Sequence, residues 1–514
     1  MTVSAKQITK WEPIPVDFSK EGIQRAVLNI TERSCSPSDL LQYRDSTAYL
    51  KLARRMVDNF LKDGTCFIIQ SDFDCDGITS CVIWEKFLSK IGATKVTMPS
   101  RDQGHATLAP LLLAMKETPN AHLVLLDNGT NLWQDVIPHL TQHQKVLILD
   151  HHQAAGRLPD DSRITLINPH ILPGKKNEND LSTAGLSYFL LPESSHKDKI
   201  LAGLGQIGDV MPLTPLSHQI ARETVKRLIA SPPPDLIPLL PKDISVQSLA
   251  FSIIPKINAV GRMSHPIIAF HALAADSPDP AIFTEIERQN EERKAVTAKY
   301  YELALPLLNN DAVQVIYIPE MPAAVAGLIA SRLSYDIFKP VLCLCNKQEK
   351  LSGSFRSPLD VDLSRLIAEL IEKGILLSGG GHKRAGGVSL HHSKLNELRA
   401  YLQTLTIQQG RKFLCMPVIP FAEITAAYQE LEPFGSGSPP PYWGVPFVSH
   451  TCEALYTRDG NRHWANRGEL NTPMGKIPFI DTLKAHWRNA GMAIGQIDWD
   501  AFAGGYIFRI ETVV

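Results

Sequence analysis

Between residues 66 and 213, short apolar runs repeatedly end in carboxylates: CFIIQSDFDCDG (66–77), HLVLLDNG (122–129) and KVLILDHH (145–152). Unbroken apolar runs of this length predict strands buried on both faces, as in a parallel sheet. The stretches between them, such as Ser80 to Lys90, have helical length and mixed polarity, which gives the β-α-β rhythm of an open α/β sheet. Such sheets bind ligands outside the carboxyl ends of their strands, so the three acidic clusters are expected to converge there.

Further along, a helix predicted from Ser217 to Ala230 runs into Pro232, Pro233, Pro234, Pro238 and Pro241, which no continuing helix accommodates. A first boundary is expected at that point. A charged helical stretch (285–305) precedes a second α/β pattern, with a strand VQVIYI (313–318), a helix AAVAGLIASRL (323–333) and the glycine cluster SGGGHKRAGG (378–387). From about residue 411 the pattern changes to short extended runs and turn signals such as Asp459-Gly460-Asn461. The fold class is therefore α/β. The expected organisation is an N-terminal segment with a parallel-sheet domain (1–230), a helical linker (231–305), a smaller α/β domain (306–410) and a C-terminal β domain (411–514).

Composition narrows the function classes. Apolar residues make up 44% and charged residues 20% of the 514, which excludes a disordered or fibrous chain. A net charge of −1 provides no global field for nucleic acid or membrane, so any polyanion site must be a local patch. The 8 cysteines show no C-x-x-C spacing of a structural zinc site, and a reducing compartment is the simple reading. The first residues lack the apolar core of a signal peptide and no apolar run approaches membrane-spanning length, so a cytoplasmic protein with no membrane partner is expected.

The chemistry starts at Asp72-Phe73-Asp74-Cys75-Asp76-Gly77. If the strand continues, alternate residues share a face, and Asp72, Asp74 and Asp76 point one way. Carboxylates so arranged repel one another and call for cations, the bland alternative being a solvated acidic loop. Asp150-His151-His152 adds imidazoles, a mixture that suits Mn²⁺ better than Mg²⁺. With Asp127 and with Asp209 in GLGQIGDVMPL there are enough ligands for two ions, whose default chemistry is phosphoester hydrolysis. Gly353-Ser354-Phe355-Arg356 and Gly379-Gly380-Gly381-His382, with Ala385-Gly386-Gly387, read as glycine-rich turns. There the backbone can approach a phosphate while Arg356 or His382 supplies positive charge.

Together these motifs resemble those of the DHH phosphoesterase superfamily, and within it the RecJ single-stranded-DNA exonucleases. The resemblance runs in order through DFDCDG, LLDNG, LDHH, GDVMPL, INAVGRM (257–263), VAGLIASRL (325–333), GSFRS (353–357), GGGHKRAGG (379–387) and LEPFGSGSPPPYWGVPF (431–447). It implies DHH and DHHA1 domains followed by an oligonucleotide-binding (OB-like) domain. It implies that Asp74, Asp76, Asp127, His151 and Asp209 hold two ions, Mn²⁺ or Mg²⁺, with Asp127 bridging. His152 would face the scissile phosphate, with Asp72 and Asp150 in support. Arg262, Ser354 and Arg356 match positions that hold a 5′-phosphate end, and His382 belongs with them. The family's N-R-F-x-x-G-Y-G stretch corresponds here to a shorter Ser100–His105, which keeps Arg101 for phosphate but lacks the tyrosine. Trp464, Trp487 and Trp499 are either base-stacking or β-core residues.

The function the resemblance implies is 5′-to-3′ degradation of single-stranded DNA to mononucleotides in repair or recombination. The partner is single-stranded DNA, with a helicase or single-strand-binding protein as candidate protein partners. Two alternatives stand beside it: a phosphodiesterase of short oligonucleotides, or a DNA-binding replication scaffold that has lost its ions.

Overall fold

The structure, a computed structural model, describes residues 11–513 apart from 18, 32, 34, 42–46, 63, 65, 102, 104–106, 154–158, 172–177, 192–193, 359–360, 408–410, 417–418, 436–437, 457–462, 474, 482–490 and 501–504. Two compact units emerge, one of Pro13–Ile286 with Lys412–Val514 and one containing Glu287–Arg411. Among the described residues, no helix is long and apolar enough to cross a membrane.

The first unit contains the expected parallel sheet, with strands in the order Ala93–Thr97, Cys66–Ser71, His122–Leu126, Val146–Leu149 and Ile164–Ile167. The chain steps from Cys66–Ser71 to one side and returns to the other, so the strand order reverses between Cys66–Ser71 and His122–Leu126. That reversal opens the crevice where open α/β sheets hold ligands. His122–Leu126 and Val146–Leu149 are buried throughout, which is why they read as unbroken apolar runs. The Cys75–Leu88 helix leaves this edge and is enclosed by the helices Thr183–Leu190 and His196–Gly208. Its buried Trp84 donates from Nε1 to Ser187 Oγ at 2.8 Å.

One expectation is corrected here. The strand stops at Ser71 and the helix starts at Cys75, so strand alternation does not carry Asp72, Asp74 and Asp76 to a common face. Asp74 is the helix N-cap and Asp76 lies in its first turn, because Asp74 Oδ1 accepts the N–H groups of Asp76 (3.1 Å) and Gly77 (3.2 Å).

The same unit holds a second core. Strands Trp443–Phe447, Gly491–Asp500, Gly505–Val513, Gly475–Asp481, His463–Thr472 and Ser449–Tyr456 lie side by side in that order. They are antiparallel except where Gly475–Asp481 meets Gly505–Val513. Ile23, Val27 and Leu28 of the Lys20–Ile30 helix are buried with Tyr428, Trp443, Phe479 and Phe508 of this core. Buried Arg33 donates to the carbonyls of Leu431 (2.8 Å) and Pro433 (2.9 Å), and His218 Nε2 bonds the Glu432 carbonyl at 2.9 Å. Burial, then the nearby Arg33 charge, lowers His218 to about 4, so the imidazole is neutral and donates. Trp487 and the side chains of Trp464 and Trp499 lie outside the described residues.

The second unit is built on a sheet ordered Ser378–His382, Ala385–His391, Lys350–Arg356, Val341–Lys347, Gln314–Tyr317, covered on one face by the Ala323–Ile337 helix. The glycine motifs expected as turns are strands. Gly380 pairs with Gly387 and Gly387 with Ser354, while Ala385 pairs with Arg356. A Cβ at Gly380 or Gly387 would meet nothing within 4 Å, so the glycines leave part of the sheet without side chains. Glycine's poor strand propensity conceals this use of it from a local reading.

Candidate active site

At the crevice of the parallel sheet, the backbone turns through the left-handed region at two points. Asp127 follows Leu126 in the left-handed region (φ 60°), and Val210 directly after Asp209 does the same (φ 58°). Such backbone strain costs on the order of 1–3 kcal/mol per residue and concentrates at functional sites. Here it turns the chain at two carboxylates of the crevice.

These carboxylates gather around one imidazole. His151 Nε2 stands 3.2 Å from Asp127 Oδ1, 3.4 Å from Asp209 Oδ2 and 3.9 Å from Asp76 Oδ2. Ligand atoms of Asp72, Asp74 and Asp127 lie within 4.8 Å of one another, as do those of Asp127, His151 and His152. Asp127 is common to both groups. Strand ends, a helix first turn and a helix C-cap thus deliver the predicted residues to one place, and Asp72 joins them as closely as Asp74 does.

Asp76 is held by main chain. Its oxygens accept the N–H groups of Thr183 (2.8 Å) and Ala184 (2.9 Å) in the first turn of the Thr183–Leu190 helix, where the helix dipole also favours an anion. Thr183 Oγ1 reaches Asp127 Oδ1 at 3.3 Å. Close approach of the His196–Gly208 helix requires Gly205, where a Cβ would stand 2.6 Å from Asp76 Oδ1 and 2.5 Å from Ala184 Cβ.

The electrostatics follow from this crowding. Burial, then Asp74, raises Asp76 to about 6 against the pull of the Ala184, Ser182 and Thr183 donors. Burial, followed by Asp76 and Asp74, pushes both Asp127 and Asp209 well above the usual carboxylate range. Asp150 behaves in the opposite way. Burial opposes its ionisation, but the hydrogen bond and charge of His152, with His151 and Thr130, hold it well below that range. Its oxygens accept the N–H groups of Thr130 (2.9 Å), His151 (2.8 Å) and His152 (3.1 Å), and Oδ1 lies 2.8 Å from His152 Nδ1. His152 is pushed down by burial, but Asp150, then Asp209 and Asp72, raise it to about 9. At neutral pH, Asp150 and His152 form an ion pair beside the acidic cluster.

Carboxylates mixed with imidazole, buried and mutually repelling, form a donor set that fits divalent cations. Two of the predicted cationic residues belong to the same unit as this set. Arg101 lies over the Phe73 ring at 4.8 Å; burial lowers its pKa against the opposing charges of Asp72 and Asp74. Arg262 occupies the last turn of the Ile253–Met263 helix, which docks on the acidic motif where Asn258 Oδ1 accepts the Cys75 N–H at 2.7 Å. In the second unit, Arg356 Nη1 donates to Ser354 Oγ (2.7 Å) and to the carbonyl of Phe355 (2.8 Å). His105 and the side chain of His382 lie outside the described residues.

The sequence patterns do not single out Thr130, Asn168, Thr183, Ala184 or Asn258. Asn168 Nδ2 donates to Thr130 Oγ1 (2.9 Å) and to the His152 carbonyl (2.8 Å), fixing the loop that carries the histidines. The Asn168-Pro169 pair after the Ile164–Ile167 strand was the available signal, since Asn-Pro favours turn initiation.

Residues 66–208 match the DHH family, N-terminal domain, and residues 310–407 match the DHHA1 domain. The chain is 24% identical over 383 residues to the single-stranded-DNA-specific exonuclease RecJ of Salmonella typhimurium, covering 66% of each chain. To the Escherichia coli protein of the same name it is 24% identical over 548 residues, covering 95% of this chain and 93% of that one. The fold is similar to the crystal structure of RecJ in complex with Mn²⁺ from Thermus thermophilus. The TM-score is 0.76 at 21% identity, over 98% of this chain and 79% of that one.

Proposed function

We propose, from the match of residues 66–208 to the DHH family, N-terminal domain, and of residues 310–407 to the DHHA1 domain, that the chain is a metal-dependent exonuclease that degrades single-stranded DNA from its 5′ end to mononucleotides. The observation that carries the reading is the convergence of Asp76, Asp127 and Asp209 on His151 Nε2 at the sheet crevice. Asp74, Asp76, Asp127, His151 and Asp209 would hold two ions, Mn²⁺ or Mg²⁺, with Asp127 shared and Asp72 supporting them. Divalent ions so held neutralise phosphate charge and lower the pKa of a water at the phosphorus.

The chain's own residues do the remainder. Asp150 orients His152 and keeps it protonated, so that His152 donates to a phosphate oxygen. In the first unit Arg101 binds a backbone phosphate and Arg262 reads the 5′-phosphate end; in the second, Ser354, Arg356 and His382 are assigned to that same end, whose recognition sets the direction of travel. Local cationic groups of this kind account for strand binding by a chain whose net charge is only −1. We place the activity in the cytoplasm, in repair or recombination, with a helicase or single-strand-binding protein supplying strands. The scaffold alternative is the poorer reading, because every acid of the metal set is present.

The test is incubation of the pure protein with 5′- and 3′-labelled single strands and Mn²⁺. A 5′ label should appear in mononucleotides at the earliest times, while a 3′ label stays in a gradually shortening strand. Mononucleotides released first from the 3′ label would overturn the direction. Cleavage confined to strands of a few nucleotides would favour the short-oligonucleotide phosphodiesterase.

A further inference from the structure

The Ala323–Ile337 helix packs on its sheet through Val325, Ala326, Ile329, Ala330 and Leu333, which are buried against Ile316, Val341 and Cys343. Small residues alone do not explain Gly327, which lies within this helix, is half-buried and costs helix stability relative to alanine. Its surroundings do. A Cβ built at Gly327 would stand 3.0 Å from Arg356 Nη2 and 3.0 Å from Ser354 Oγ. Those two groups are joined to each other, Arg356 Nη1 donating to Ser354 Oγ at 2.7 Å, and both sit on the Lys350–Arg356 strand.

The helix cannot yield to an added methyl group, since its apolar face is packed and Ser334 Oγ bonds the carbonyls of Lys339 (2.7 Å) and Arg356 (3.3 Å). The flexible end of Arg356 must move instead. We propose that Gly327 is a positioning residue for the terminal-phosphate subsite, its missing side chain leaving the Arg356 guanidinium and the Ser354 hydroxyl side by side in the geometry that grips a phosphate. The inference rests on the proposed role of Arg356 and Ser354 in holding the 5′ end. It adds that helix stability is given up at this position for substrate geometry, and that the chain's preference for a 5′-phosphate depends on the space.

The test uses the full chain with Mn²⁺ and two single strands of one sequence, carrying either a 5′-phosphate or a 5′-hydroxyl. Gly327→Ala should raise KM for the phosphorylated strand about tenfold, the worth of one charge-assisted bond. It should leave kcat at saturation and KM for the hydroxyl strand within about twofold. Its melting temperature should equal or exceed that of the wild type, as expected for alanine in a helix. Gly327→Ser should lose more, because its side chain reaches further toward the guanidinium. Arg356→Lys, measured alongside, separates the two ideas. If Arg356→Lys removes the preference and Gly327→Ala does not, the inference about Gly327 is wrong and the reading of the subsite stands. If the wild type shows no preference, both fall. A lowered melting temperature with equal KM increases on both strands would reduce Gly327 to a packing residue and overturn the proposal.

Discussion

The acidic strand edge of residues 66–213 and the glycine-lined sheet of residues 350–391 treat charge in opposite ways. At the first, buried Asp76 and Asp127 and half-buried Asp209 lie within reach of one imidazole, and each is pushed toward protonation by desolvation and by its neighbours. At the second, Arg356 is folded back onto its own strand, where Ser354 Oγ and the carbonyl of Phe355 accept from its guanidinium. The acidic edge is costly until something cationic joins it, whereas the basic sheet is satisfied as it stands. Damage to the first should therefore register in metal binding and stability, and damage to the second mainly in substrate affinity.

The largest expected effect comes from Asp127→Asn, which removes the carboxylate common to both ligand groups. Turnover with saturating Mn²⁺ should fall by roughly three orders of magnitude or more, since ion-held charge supplies most of the barrier reduction. Without metal the same change should raise the melting temperature at neutral pH, because it replaces a carboxyl that the fold must hold protonated against its usual ionisation with a neutral amide. Loss of activity with a lowered metal-free melting temperature would mean that Asp127 serves the fold rather than the ions.

How far these regions could be read in advance differs for a physical reason. Asp127, Asp150, His151 and Asp209 were legible because an apolar run that stops at a carboxylate marks the end of a buried strand or helix, and parallel topology brings such ends together. Thr183 and Ala184 were not, because a main-chain N–H has no residue signature; in the structure Ser182 caps their helix by accepting the Gly185 N–H. The alternation argument for Asp72, Asp74 and Asp76 reached the right residues by the wrong geometry, since Asp74 ends the extended chain by capping a helix. The glycine motifs misled for the opposite reason. Gly380 and Gly387 form strands through pairing with each other and with Ser354, a tertiary preference that overrides local propensity.

A second, smaller effect would sharpen the claim that the acidic edge is held by backbone. Thr183 is the first residue of its helix, and Ser182 before it is extended (φ −69°, ψ 172°), so Thr183→Pro fits the local geometry. That change deletes the 2.8 Å N–H donor to Asp76 along with the hydroxyl. Mn²⁺ affinity by titration calorimetry should fall about 10- to 100-fold, the usual range for a lost outer hydrogen bond at a metal site. Thr183→Val removes only the hydroxyl that reaches Asp127 and should cost about threefold or less. Equal losses in the two variants would place the effect in the hydroxyl and refute the backbone account.

The remaining expected effect is a pH dependence of stability, and its sign tests the strain of the acidic edge. Asp76 is raised to about 6 in the fold, so between about pH 4 and 6 the folded chain holds a proton that the unfolded chain has released. Raising pH through this window therefore destabilises the metal-free protein, by at most about 3 kcal/mol from this group, and Asp127 and Asp209 act in the same direction. His152, raised to about 9, contributes stability that is complete below about pH 6.5 and is lost as pH rises through 9. Asp150 adds no slope in this range, because its folded value lies below the usual carboxylate range and it is ionised in both states above about pH 5. Bound metal displaces the protons and uses the ionised carboxylates, so its stabilising effect grows with pH. Scanning calorimetry in chelator should show the melting temperature falling from pH 5 to pH 7.5. With Mn²⁺ the fall should be flattened, so that the gap between the two curves widens by several degrees. A gap that stayed constant or narrowed would mean that the buried carboxylates carry no strain relieved by cations, and the contrast with the basic sheet would fail.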